Sequence, residues 1–157
     1  MTIPHPHPPV DFMELALRQA EAAAARSEVP VGAVLVDPAT GEVLAADHNR
    51  VEECHDPTAH AEMLVIRAVA TSRREKRLPF ADLYVTLEPC AMCAAAISFA
   101  RLRRVHFAAA DPKGGGVLHG GRFFEQPTCH HRPEIAGPTA AEAASAELLR
   151  GFFRARR

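Results

Sequence analysis

The sequence predicts an α/β fold, a sheet whose faces are covered by helices, and three observations point to it. Short apolar runs at residues 31–37, 83–87 and 105–109 have the length and Val/Leu content of buried strands. Stretches with apolar residues at helical spacing lie between and around them, so strands and helices alternate along the chain. The 157 residues show no internal repeat and no shift of composition, which suits one domain with a sizeable core.

In order, residues 11–26 read as a helix. Asp11 serves as N-cap, and Phe12, Leu15, Ala16, Ala20 and Ala23 recur on one face. The strand at 31–37 ends in Asp37-Pro38-Ala39-Thr40-Gly41, which is turn chemistry, and residues 42–46 return as the second arm of a hairpin. A polar loop, 47–58, holds Asn49, Arg50 and Asp56-Pro57. A helix over 59–72 follows, with Pro57 or Thr58 near its start. The strand at 83–87 passes at once into a helix over 90–100, and 105–109 is the next strand. Gly114-Gly115-Gly116 and Gly120-Gly121 mark irregular, mobile backbone, and 139–154 is a long Ala-rich helix.

Residues 1–10, rich in Pro and His, read as a disordered tail, and 11–157 as the single folded domain. His5 and His7 could bind metal, but a solvated tail is the better reading. The tail lacks the basic and apolar regions of a secretory signal. Hydrophobic residues make up 48% and charged residues 24%, as in soluble globular proteins, and no apolar run approaches the roughly 18 residues of a membrane span. Two of the four cysteines fall in one metal-type motif, so a reducing cytoplasm is expected rather than a disulfide framework. Net charge is −1, but residues 1–100 carry eight Lys/Arg against fourteen Asp/Glu, and 101–157 carry ten against five. That asymmetry suits an anionic partner as well as it suits chance clustering on a solvated face.

The chemistry concentrates in His60-Ala61-Glu62 and Pro89-Cys90-Ala91-Met92-Cys93. His60, Cys90 and Cys93 are three ligands of the kinds zinc prefers, and three protein ligands leave the fourth tetrahedral position to water, as in catalytic sites. Both motifs fall at predicted helix starts, where free N–H groups and the helix dipole favour thiolate. Cys90 and Cys93, three apart, share a helix face. His60 and Glu62, two apart, can serve one ion only if it sits over the end of the helix. Glu62 is the carboxylate for moving protons. Glu88 reads as structural, accepting from N–H groups at the helix start. A zinc that only staples two helices, with Cys54 or Cys129 as fourth ligand, would leave Glu62 without a use. Cys54, Cys129, His130 and His131 read as ordinary loop or packing residues. H-x-E…P-C-x-x-C is the signature of zinc-dependent base deaminases.

At these residues the chain resembles the bacterial tRNA-specific adenosine deaminases. The likeness extends through Val29–Val36, Asn49-Arg50, Asp56–Glu62, Leu83–Cys90, Asp111-Pro112-Lys113 with its glycine run, and Leu148–Arg154, covering roughly residues 12–155. The zinc motifs are shared with cytosine, guanine and deoxycytidylate deaminases. The Asp-Pro-Lys-Gly segment and the Phe-Phe-Arg ending discriminate among them. The resemblance implies a three-layer α/β/α sandwich of the cytidine deaminase type with a central mixed five-stranded sheet. It also implies one zinc per chain, a homodimer, and conversion of adenosine to inosine at the wobble position of an arginine tRNA, bound through its anticodon stem-loop. By the same resemblance Asn49 and Asp111 contact the substrate nucleotides, and Lys113, Phe152, Phe153 and Arg154 meet the RNA. Val51, where the family commonly has proline, and the long segment 119–132 depart from the pattern. The alternatives are a deaminase of free guanine, cytosine or a nucleoside, and, outside enzymes, a zinc-stabilised RNA-binding module.

Overall fold

The computed structural model describes residues 9–157. The expected tail, 1–10, lies almost wholly outside the described residues. Helix α1 (Phe12–Ala25) starts where expected: the Asp11 side chain accepts from the Glu14 N–H at 3.1 Å. Its buried face is Met13, Ala16, Leu17, Ala20 and Ala23, while Phe12 and Leu15 are only partly covered. The expected stripe was rotated because Phe12 lies against Tyr84, ring centroids 5.4 Å apart, at the margin of the layer.

Strands β1 (Gly32–Asp37) and β2 (Glu42–His48) form the expected antiparallel hairpin, with a bulge between Leu35 and Val36. Asp37 Oδ1 accepts from the Ala39 N–H at 3.0 Å, and Gly41 takes φ 75°, which glycine adopts without strain. Gly32 is a packing requirement, because a Cβ there would lie 2.0 Å from the carbonyl oxygen of Ala16. The bare backbone lets α1 settle on β1. The segment read as a plain loop contains a single-turn helix, α2 (Val51–Cys54). Val51 is its first residue, the position at which proline is best tolerated, so valine for proline leaves the turn intact.

Helix α3 (Ala61–Arg73) starts two residues later than expected, with His60 as its N-cap and Pro57 and Thr58 in the turn before it. Then follow β3 (Asp82–Leu87), α4 (Ala91–Phe99), β4 (Arg104–Ala109), β5 (Glu134–Ala136) and α5 (Glu142–Arg154). The sheet runs β2-β1-β3-β4-β5, with β1 antiparallel to both neighbours and β3, β4 and β5 parallel. β5 is three residues long, too short to give a periodic signal.

Alternation along the strands divides the core. Ala33, Leu35, Leu83, Val85, Val105 and Phe107 face α3 and α4, where Val65, Val69, Ala94 and Ile97 are buried against them. Val34, Val36 and Ala108 face the other way, onto Met13 and Ala16 of α1. α5 joins that side, its Ser145 hydroxyl donating to the Thr86 carbonyl at 2.5 Å. The result is a three-layer α/β/α sandwich on a mixed five-stranded sheet. Segment 119–132 is tied into it by a short 3-10 turn, Phe123–Glu125, that buries Phe124 in the larger core cluster.

Candidate metal centre and substrate cleft

The parallel step from β3 into α4 brings Glu88, Pro89 and Cys90 to the carboxyl end of the strand, where open α/β sheets place ligands. Cys90 is the N-cap of α4 with ψ 174°, and His60 the N-cap of α3 with ψ 151°. Both are extended residues ahead of a helix, and neither makes a side-chain cap bond. Their side chains thus project over two helix ends. This settles how His60 and Glu62 can face one point although they are two residues apart.

His60 Nδ1 lies 3.6 Å from Cys90 Sγ and 3.5 Å from Cys93 Sγ, and the three ligand atoms fall within 4.8 Å of one another. A tetrahedral zinc with Zn–S about 2.3 Å and Zn–N about 2.0–2.1 Å requires an N···S separation of about 3.5 Å. Donor types and spacing therefore fit one zinc ion. Among the described residues the group has these three members alone. Cys54 is exposed, and Cys129 sits 3.6 Å from the Ser98 hydroxyl on α4. Neither closes the site with a fourth thiol.

The electrostatics are those of a compact, charge-sharing cluster. The Cys93 thiol and the His60 ring, both bonded to Cys90 Sγ, bring that thiol down to about 4. Cys93 is pushed up, because it is the partner that keeps the proton and because it is buried. The Cys90 thiolate raises His60. Glu62 is 4% exposed, and burial raises its carboxyl above the ordinary range.

Glu88 is structural, as expected, but its partners differ. They belong to the loop 111–119 and not to the start of α4. Oε2 accepts from the N–H groups of Val117, Leu118 and His119 at 3.0–3.2 Å, and Oε1 from Asp111 N–H at 3.1 Å and His119 Nδ1 at 2.8 Å. Burial pushes this carboxyl up, but the His119 ring and the backbone donors outweigh it and hold it below the usual range. A Cβ on Gly115 would stand 2.2 Å from Oε2, so the glycine run expected to be mobile is glycine for close approach to this carboxylate.

A cleft of about 710 Å³ opens beside the cluster, within the range of small-ligand pockets. Asn49, His60, Glu62, Cys90, Asp111 and Phe152 all line it. Asn49 is 7% exposed and held by its backbone: its N–H donates to Val31 O at 3.0 Å, and its carbonyl accepts from His48 Nδ1 at 2.8 Å. Lys113, Phe153 and Arg154 do not line the cleft; all three are exposed. Two cleft residues had no signal in the sequence. Buried Glu28 accepts from the Glu52 and Glu53 N–H groups at 3.0 and 2.9 Å, capping α2 from 24 and 25 residues away. Arg156 reaches back to the cleft from the end of the chain, its guanidinium 3.4 Å from the Phe152 ring centroid.

Residues 8–109 match the family described as the cytidine and deoxycytidylate deaminase zinc-binding region. The chain is 59% identical over 146 residues to the tRNA-specific adenosine deaminase of Agrobacterium fabrum, covering 93% of this chain and 94% of the relative. A solved structure from a study of A-to-I editing by tRNA:A34 deaminases at the wobble position of transfer RNA superposes with TM-score 0.83 at 59% identity. The match covers 88% of this chain and 98% of that one. The guanine deaminase of Nitrosomonas europaea shares the fold at TM-score 0.77 but only 20% identity, over 90% of this chain and 82% of that one.

Proposed function

From the premise that this chain belongs to the cytidine and deoxycytidylate deaminase zinc-binding family, we infer that it is a zinc-dependent tRNA adenosine deaminase. It hydrolyses adenosine to inosine at the wobble position of tRNA, an arginine tRNA being the expected species, with release of ammonia. The observation that carries the reading is the His60–Cys90–Cys93 triangle opening onto the cleft that buried Glu62 also lines.

His60 Nδ1, Cys90 Sγ and Cys93 Sγ would hold the metal. Zinc in that position supplies the Lewis acidity that lowers the pKa of a water to about 7. Glu62 is close to the ligands without being one, and its carboxylate takes a proton from the attacking water and passes it to N1 of the adenine. Attack falls at C6, and a second proton carried by Glu62 lets the amino group leave as ammonia. Burial suits this role, because it raises the carboxyl above its ordinary range and makes it a better proton acceptor than a solvated glutamate. Asn49 and Asp111, both lining the cleft, hold the flipped nucleotide, and Phe152, which lines it too, packs against it. Lys113, Phe153 and Arg154, outside the cleft, meet the rest of the anticodon loop. Flipping is cheapest in a single-stranded loop, which favours the anticodon over a duplex.

Residues 11–157 act as one catalytic domain, working as a homodimer in the cytoplasm. Among the described residues no helix is long and apolar enough to cross a membrane. The decisive experiment is inosine detection in total tRNA incubated with the zinc-loaded protein. Guanine, cytosine and free nucleosides serve as competing substrates, and light scattering reports whether the mass is twice 17.0 kDa. Ammonia from a free base, with no inosine in tRNA, would reject the reading in favour of the small-molecule alternative.

A further inference from the structure

The cleft presents five carboxylates, Glu28, Glu52, Glu62, Glu88 and Asp111, against two guanidiniums, Arg26 and Arg156. Two thiolates would cancel the charge of a zinc ion, so the pocket that takes the base repels the phosphates around it. A polyanionic substrate must be retained by charge placed elsewhere, and the fold gathers such charge at the far end of α3 and α4. The segment Arg73-Arg74-Glu75-Lys76-Arg77, exposed throughout, leaves α3 at the pole opposite His60. Thirteen residues of helix put it about 20 Å from the metal cluster. Leu78 N–H donates to Ala100 O at 2.6 Å, Arg103 N–H to Ala81 O at 2.9 Å, and Arg101 Nη1 to His130 O at 3.2 Å. These bonds draw the turns at 73–81, 100–104 and 130–134 into one surface. Arg103 is paired with Asp82 and Arg104 with Glu134, whereas Arg74, Lys76, Arg77, Arg101 and Arg132 have no acidic partner among the described residues. Phe99, 72% exposed, stands at the end of α4 immediately before this turn. A charge tally along the chain misses this surface, because residues 73–77 fall in the acidic first hundred and 101–132 in the basic remainder.

We propose that this pole is a second RNA-binding surface, which holds the phosphate backbone of the substrate outside the loop that enters the cleft, with Phe99 as a platform for a base. The inference rests on the RNA reading above. Uncompensated guanidinium and ammonium groups beside an exposed aromatic ring are the chemistry of sequence-tolerant RNA binding.

The test measures tRNA binding directly across a salt series, independently of turnover, so that absence of inosine would count against the functional reading alone. The triple variant Lys76→Gln, Arg77→Gln, Arg132→Gln changes only exposed side chains outside the cleft. It should bind tRNA more weakly, with the slope of log K against log salt reduced by up to about 2–3, from about 0.7–0.9 per phosphate contact. Phe99→Ala should weaken binding with the slope unchanged, because stacking releases no counterion. Turnover of a short oligoribonucleotide carrying the target adenosine, too short to reach the pole, should match the unaltered protein for both. Wild-type affinity and slope in both variants would overturn the proposal. So would a fall in molecular mass with unchanged RNA binding, which would assign the face to contact between copies of the chain.

Discussion

Replacing Glu88 by glutamine swaps a carboxylate for its nearest neutral isostere and isolates what the charge does for the loop above it. With the amide oxygen in the place of Oε2, the N–H groups of Val117, Leu118 and His119 keep an acceptor but lose its charge. Bonds to a charged acceptor contribute about 1.5–3 kcal/mol against about 1 for neutral ones, so three of them lose about 3 kcal/mol together. The amide nitrogen then faces the N–H of Asp111, leaving one donor unsatisfied at about 1–2 kcal/mol more, while His119 escapes by changing tautomer. The expected loss is about 4–5 kcal/mol, a large fraction of a typical domain's stability, or roughly 10–20 °C in melting temperature at this size. Urea unfolding of zinc-loaded wild type and variant at pH 7 measures it. The wild-type carboxyl is held below its unfolded value. Its contribution is therefore complete above about pH 4.3, the ordinary glutamate value, and disappears as the pH falls through the depressed folded value. The gap between the two proteins should thus be full at neutrality and narrow below about pH 4. A difference under about 1 kcal/mol at pH 7, or a gap independent of acid, would refute the view that this charge holds the loop.

Glu62→Ala should lower deamination at least 100-fold to 10,000-fold, the range general acid–base catalysis supplies, while zinc stays near one per chain by atomic absorption; loss of zinc would make Glu62 a ligand. His60→Ala, Cys90→Ala and Cys93→Ala should each lose the metal and melt at lower temperature, and a variant with full zinc would remove that residue from the proposed ligand set. Titrating metal-free protein with zinc at pH 7 should release at least one proton per ion, because Cys93 is raised and protonated while Cys90, near 4, is already ionised. Calorimetry in buffers of different ionisation enthalpy counts it, and a count of zero would contradict the charge sharing. Removing residues 154–157 should weaken tRNA binding and shallow its salt dependence, with zinc content unchanged. Equal slopes would take the terminal arginines out of the interface.

Much of this molecule was legible because its signals are local. The Asp11 cap, the Asp37–Gly41 turn and the Cys90–Cys93 spacing each lie within a few residues, where periodicity and side-chain chemistry act directly. What escaped depends on partners distant in sequence. Glu28 reveals its role only when α2 arrives 24 residues later, and Glu88 only when the loop at 111–119 folds over it. The buried face of α1 differs from the expected stripe because Met13 joins the core only through Val34 and Val36 of the sheet, which periodicity within the helix does not reveal. Strand β5 is three residues long, so the likeness to known deaminases supplied it and the residues themselves did not.

The two helix ends that hold the proposed ligands stand thirty residues apart, and neither touches the other until β3 has paired with β1 and carried Cys90 beside His60. A site with all three donors therefore depends on long-range sheet pairing. Cys90 and Cys93 by themselves offer two donors three residues apart, and the third comes from the other helix end. The three-donor site is thus a property of the folded sheet and not of either motif alone.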